Sequence, residues 1–100
     1  MIRLWVDDVR KAPEGYMWAN NTDDAISIIR IALESCIGIE VVDIDHDAGD
    51  YAKYGGDYIK ILDWMERNQI SIPIRIHSMN PVGVENMRRI IQRNGWTEVR

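Results

Sequence analysis

One stretch constrains the chain more than any other: Val41-Val42-Asp43-Ile44-Asp45-His46-Asp47-Ala48-Gly49-Asp50. It begins as a β-branched apolar run and ends as a cluster of acids around a histidine. Val41, Val42 and Ile44 suit a strand buried on both faces, as in a parallel sheet. A desolvated carboxylate needs a partner, so the acids belong beyond the strand's C-terminal end. In open α/β sheets that edge is where ligands bind. Asp and Gly also suit a plain turn. What lifts the segment above a turn is that polar residues end two other predicted strands: Asp7-Asp8 after Leu4–Val6, and His77-Ser78 after Ile74–Ile76.

The rest of the chain fills in around these strands. Arg10, Lys11, Pro13 and Gly15 make a loop, and Tyr16–Ala19 reads as a second strand. Asn21 or Thr22 can cap a helix whose apolar face is Ala25, Ile28, Ile29, Ala32, Leu33 and Cys36, with Gly38 as its stop. Asp45 to Gly55 is a long loop. Tyr58, Ile61, Leu62 and Met65 mark a second helix ending near Asn68. Asn80-Pro81 opens a third, which runs to Asn94-Gly95, and Trp96 to Val99 makes a short final strand.

Connection lengths set the topology. If the second strand ran antiparallel to the first, the helix after it would reach the wrong end of the third. The second strand is therefore parallel, and Val9 to Gly15 crosses back without a helix, within reach at about 3.3 Å per extended residue. Later strands alternate with helices, which favours right-handed parallel crossovers. The expectation is one domain, residues 1–100: a three-layer α/β/α sandwich of five parallel strands in order 2-1-3-4-5. Its switch point between strands one and three places Asp7 and Asp8 beside Asp45 and Asp47, with His77, Ser78 and Asn80 one strand away.

That convergence predicts chemistry. Acids at neighbouring strand ends repel unless a cation lies between them, and Mg²⁺ takes such oxygen ligands, with Mn²⁺ an alternative. Asp7, Asp8, Asp45 and Asp47 are the candidate ligands. His46 and His77 can exchange protons near neutral pH. Asn80 caps the third helix, whose free N–H groups attract phosphate, and Arg10 and Lys11 can clamp an anion. Arg88, Arg89 and Arg93 read as a solvated helix face, and the four tryptophans as packing residues. The net charge of −4 argues against a bulk nucleic-acid binder but not against a small anionic ligand. The single cysteine, Cys36, reads as a core residue and points to a reducing, cytoplasmic setting. No apolar run approaches membrane-spanning length, and no signal peptide is visible at Met1 to Val6.

Asp7-Asp8, Asp45 and Ser78, each after its strand, resemble the receiver domains of two-component response regulators. There the acids hold Mg²⁺ and the third is phosphorylated, which would be Asp45. Two features depart from that pattern: the first receiver helix is replaced by the Arg10 to Gly15 loop, and the lysine expected after the fifth strand is absent. The chain more closely resembles the cyclic-phosphate-processing receiver domains. The matching blocks are Leu4-Trp5-Val6-Asp7-Asp8-Val9-Arg10, Ile44-Asp45-His46-Asp47-Ala48-Gly49 and His77-Ser78-Met79-Asn80-Pro81-Val82-Gly83. Asp43 departs from this pattern, at a place where a small or hydroxyl residue is expected. The resemblance implies a metal-dependent phosphoesterase acting on a cyclic phosphate of a nucleotide or RNA end. Asp45, His46 and His77 would be catalytic, with Arg10, Ser78 and Asn80 on the substrate. A module that only sequesters a phosphorylated ligand, and a receiver phosphorylated on Asp45, are the alternatives. The loop from Ala48 to Gly55, longer than the usual two to six or so residues, reads as a mobile lid.

Overall fold

The computed structural model describes every residue from Met1 to Arg100. Five strands, β1 (Ile2–Val6), β2 (Met17–Ala19), β3 (Ile39–Ile44), β4 (Ile74–Ile76) and β5 (Glu98–Val99), form one parallel sheet in the order β2-β1-β3-β4-β5. Helices α1 (Thr22–Glu34), α2 (Ile59–Arg67) and α3 (Pro81–Asn94) connect the strands from β2 onward. This is the receiver-like, flavodoxin-like arrangement expected from the sequence, including the helix-free passage from β1 to β2. No helix is long and apolar enough to cross a membrane.

Strand alternation sorts the side chains onto two different faces. Leu4 and Val6 lie in register with Val42 and Ile44, and these with Ile74 and Ile76. On this face they join Ile29, Ile61, Leu62, Met65, Met87 and Ile91 in one core. Burying each such side chain contributes about 1.5–3 kcal/mol. The three crossovers run the same way along the sheet, so right-handedness puts all three helices on this face. The other face carries Trp5, Asp43 and Arg75 in one row. No helix covers it. Its outer layer is the segment between β1 and β2. Trp5 Nε1 donates to the Arg10 carbonyl at 2.8 Å, Trp18 Nε1 donates to the Asp7 carbonyl at 2.8 Å, and Tyr16 packs edge-on against Trp5. These tryptophans therefore do more than fill space: they fix the backbone of residues 7–10.

The helix starts follow the sequence. Asn21 and Asn80 accept from the Asp24 and Gly83 amides at 2.8 and 3.0 Å, with Pro81 in the first turn of α3 and Gly95 left-handed at its end. The end of α1 does not. The helix stops at Glu34, and Cys36 takes a left-handed φ of 56°. There its N–H and that of Ile37 reach back to the carbonyls of Leu33 and Ala32. Cys36 is thereby turned outward and is exposed, not part of the core. Two of the arginines expected in solvent are paired: Arg88 with Glu98 and Arg93 with Glu66, each at 2.9 Å.

The long loop has more structure than a lid requires. Ala48 is fully buried and donates to Asp57 Oδ1 at 3.0 Å, Gly49–Lys53 forms a 3-10 turn, and Tyr51 and Ala52 pack on the core. The Tyr54 carbonyl accepts from the Asp23 amide, and the Gly56 carbonyl from the Thr22 hydroxyl. The loop is thus pinned at both ends, and Asp50, Lys53 and Tyr54 remain exposed on it.

Candidate functional site

The sheet ladder continues one residue past three strand ends. The amide of Asp7 donates to the Ala19 carbonyl, that of Asp45 to Val6, and that of His77 to Ile44. These bonds hold the three side chains at one level of the C-terminal edge. Asp7, Asp8 and Asp45 each offer a carboxylate oxygen there, and the three oxygens lie within 4.8 Å of one another. The sheet edge, the acid trio and His77 therefore form the single corner that the sequence predicts.

The acids of this corner are in unequal circumstances. Asp7 is fully buried. Its Oδ1 accepts from the amides of Val9 and Arg10, both at 2.9 Å. Its Oδ2 faces His77 Nε2 at 2.9 Å and Arg10 Nε at 3.1 Å. Burial works against ionisation of Asp7. The two amides, His77 and the Arg10 charge outweigh it and hold the pKa below the usual carboxylate value. Arg10 also reaches Asp45 Oδ2 with Nη2 at 3.5 Å, while Asp45 Oδ1 accepts from the His46 amide at 2.8 Å. Asp8 has no cationic side chain within salt-bridge distance. Burial, then the charges of Asp7 and Asp45, push its pKa up.

His77 is clamped. Its Nδ1 lies 2.6 Å from Asp43 Oδ1 and its ring stacks on Trp5, with centroids 3.8 Å apart and planes 5° from parallel. Since Nε2 faces Asp7, both ring nitrogens point at carboxylate oxygens, which only accept. Satisfying both contacts takes two protons on the ring, or one on the ring and one on a carboxyl. Asp43 is fully buried and also receives Arg75 Nη1 at 3.2 Å. Asp43, the acid out of pattern in the β-branched run, thus orients His77. The sequence offered the anomaly as a signal but not the partner.

His46, Asp47 and Asn80 make a second, more open group. His46 Nδ1 is 2.9 Å from Asp47 Oδ1, and its Nε2 has no protein partner. Asn80 Nδ2 donates to Asp47 at 3.3 Å, and the Asn80 amide donates to Ser78 Oγ at 3.1 Å. The bond to His46 lowers the pKa of Asp47; burial opposes it, and Asn80 adds a smaller lowering. Asp47 is held outside the acid trio, so the structure does not bring it into the expected metal set. Gly83, in the first turn of α3, is unforeseen. A Cβ there would sit 2.4 Å from His46 Cγ, so the glycine is what lets the ring lie against the helix. Arg10, expected to face an anion, instead lies across Asp7 and Asp45. The surface cleft of Ile2, Met17, Ile28, Ile31, Ala32 and Ile37 lies elsewhere and is wholly apolar, so it offers no groups for chemistry.

Three hard oxygen donors at one edge suit a small divalent cation. They fit it on one condition, that the arginine across two of them moves. Comparison with known proteins bears on what such a corner serves. A model of the family described as cyclic-phosphate processing receiver domain matches residues 2–93. No curated protein and no solved structure gives a significant match.

Proposed function

The chain belongs to the family of cyclic-phosphate processing receiver domains, and from that premise we propose that it is a metal-dependent phosphoesterase acting on a cyclic phosphate. The substrate class is a nucleotide or an RNA end bearing that ring. The observation that carries the reading is the pairing of a three-carboxylate corner with the histidine that follows Asp45 in the chain and whose Nε2 has no protein partner. Asp7, Asp8 and Asp45 would hold Mg²⁺ or Mn²⁺, which supplies charge neutralisation at the phosphate and polarises it toward attack.

The chain's own residues do the rest. Asp47, itself held by Asn80, fixes the His46 ring through Nδ1 and leaves Nε2 to take a proton from water. The water oxygen bonds to phosphorus, one ring P–O bond breaks on the opposite side, the leaving oxygen takes a proton from solvent, and the imidazolium gives its own back to solvent. The Ser78 hydroxyl and the N–H groups that open α3 hold the non-bridging oxygens. His77, bonded to Asp43 and Asp7, keeps the edge in register. The test is hydrolysis of a 2′,3′-cyclic nucleotide with Mg²⁺ or Mn²⁺. His46→Ala is expected to lower turnover by about 10²–10⁴. No turnover by the wild-type chain with either metal would overturn the reading. Tight binding without conversion would favour a sequestering module, which the arginine already lying across Asp7 and Asp45 also suits.

A further inference from the structure

We infer that Arg10 is a built-in counter-ion that stands in the cation's place between Asp7 and Asp45 and is displaced when a divalent cation binds. The inference rests on the metal-dependent reading above and adds a competing residue to it. The guanidinium spends two nitrogens on two acids, Nε on Asp7 at 3.1 Å and Nη2 on Asp45 at 3.5 Å. Those are two of the three carboxylates that converge there. A cation drawing on both oxygens meets a positive charge already seated on them.

The displacement is confined to one side chain. The Arg10 amide is held by Asp7 Oδ1 and its carbonyl by Trp5 Nε1, so the backbone is anchored on both sides. The side chain is 44% exposed and has solvent to swing into. Lys11, the next residue, is exposed and touches none of the acids, so it carries the same charge without the bridge. Asp8, left without a cationic partner, gives an incoming cation one carboxylate for which it need not compete. Once released, the Arg10 guanidinium is free to clamp the phosphate of the proposed reaction, the role the sequence suggests for it.

Calorimetric titration of the full chain with Mn²⁺, repeated with Mg²⁺, tests this. Arg10→Gln is expected to bind the cation about tenfold tighter or more, the effect of removing one unit charge a few ångströms from a half-exposed site. Arg10→Lys keeps the charge but cannot bridge both acids, and falls between wild type and Arg10→Gln. Lys11→Gln stays within about twofold of wild type. In ¹⁵N spectra, the Arg10 Nε–H resonance, identified by its loss in Arg10→Lys, shifts as Mg²⁺ is added. Should Arg10→Gln fail to fold without metal, Arg10→Lys and the resonance decide. Equal affinity in wild type and the Arg10 variants, equal tightening in Lys11→Gln, or an unmoved resonance at saturating Mg²⁺ would overturn the displacement and leave the metal site standing. Absence of cation binding in both wild type and Arg10→Gln would overturn the metal site and this inference together.

Discussion

The corner has a closed half and an open half, and the two histidines divide between them. In the closed half, His77 is sandwiched between two fully buried carboxylates and stacked on Trp5, and Arg10 completes the pairing of Asp7. In the open half, His46 uses one nitrogen on the exposed Asp47 and keeps the other free, and Asp8 has no cationic partner. Buried charges that are fully paired define geometry. Polar groups left without partners cost stability and are what functional sites retain. On the proposed function, the difference gives His77, expected from the sequence to be catalytic, a positioning role and leaves proton transfer to His46.

The sharpest way to break that division is to remove each ring in turn. His46→Ala is expected to lower turnover by about 10²–10⁴ and to cost about 1–2 kcal/mol of unfolding free energy, because the ring packs on α3 while its one polar contact is with the exposed Asp47. His77→Ala takes one partner from each of the fully buried Asp43 and Asp7 and leaves a gap beside Trp5, and is expected to cost about 3 kcal/mol, read from urea unfolding. If His77→Ala leaves stability unchanged, or if His46→Ala is the variant that unfolds, the assignment is reversed.

A smaller effect separates position from chemistry. Gly83→Ala places a methyl where the His46 ring lies, so the ring must leave its place beside Asp47. We expect turnover to fall by about tenfold or more, with a stability cost of about 1–2 kcal/mol from overpacking. In the His46→Ala background the same substitution is expected to cost almost nothing further, since the clash is gone. Additive losses would mean that Gly83 acts elsewhere.

What the sequence discloses of this corner depends on how local the cause is. Strand order is legible because short connections between β-branched runs leave one parallel solution. Asp7, Asp45 and His77 are legible because a buried strand drives polar groups to its end. The partner of Asp43 is not, because it arises from the register Trp5–Asp43–Arg75 across three strands. The inward turn of Arg10 has the same character: one of its two partners, Asp45, lies at the end of the neighbouring strand. Asp47 reads as one more acid among acids until α3 brings Asn80 to it. Cys36 is misplaced by pattern because the apolar spacing continues past Glu34, where the helix has already ended. The helix-free face follows from all three crossovers running one way, a fact of topology more than of any segment.

The smallest predicted effect concerns the open half alone. The raised pKa of Asp8 means that its ionised form is disfavoured in the folded chain, by burial and by Asp7 and Asp45. With the folded pKa above the unfolded one, the folded chain binds the proton more tightly. Ionisation of Asp8 therefore costs stability at neutral pH, and that cost disappears as pH falls through the folded value. Asp7 has the opposite sign: its lowered pKa contributes stability above the usual carboxylate range that is lost as acid protonates it. Without metal, Asp8→Asn is therefore expected to be more stable than wild type at pH 7, an advantage that fades toward pH 4. With Mn²⁺ the order inverts, because wild type gains binding free energy that Asp8→Asn forgoes. Urea titrations at both pH values, with and without Mn²⁺, read all four quantities. An Asp8→Asn variant less stable than wild type without metal would place Asp8 in the closed half and erase the contrast.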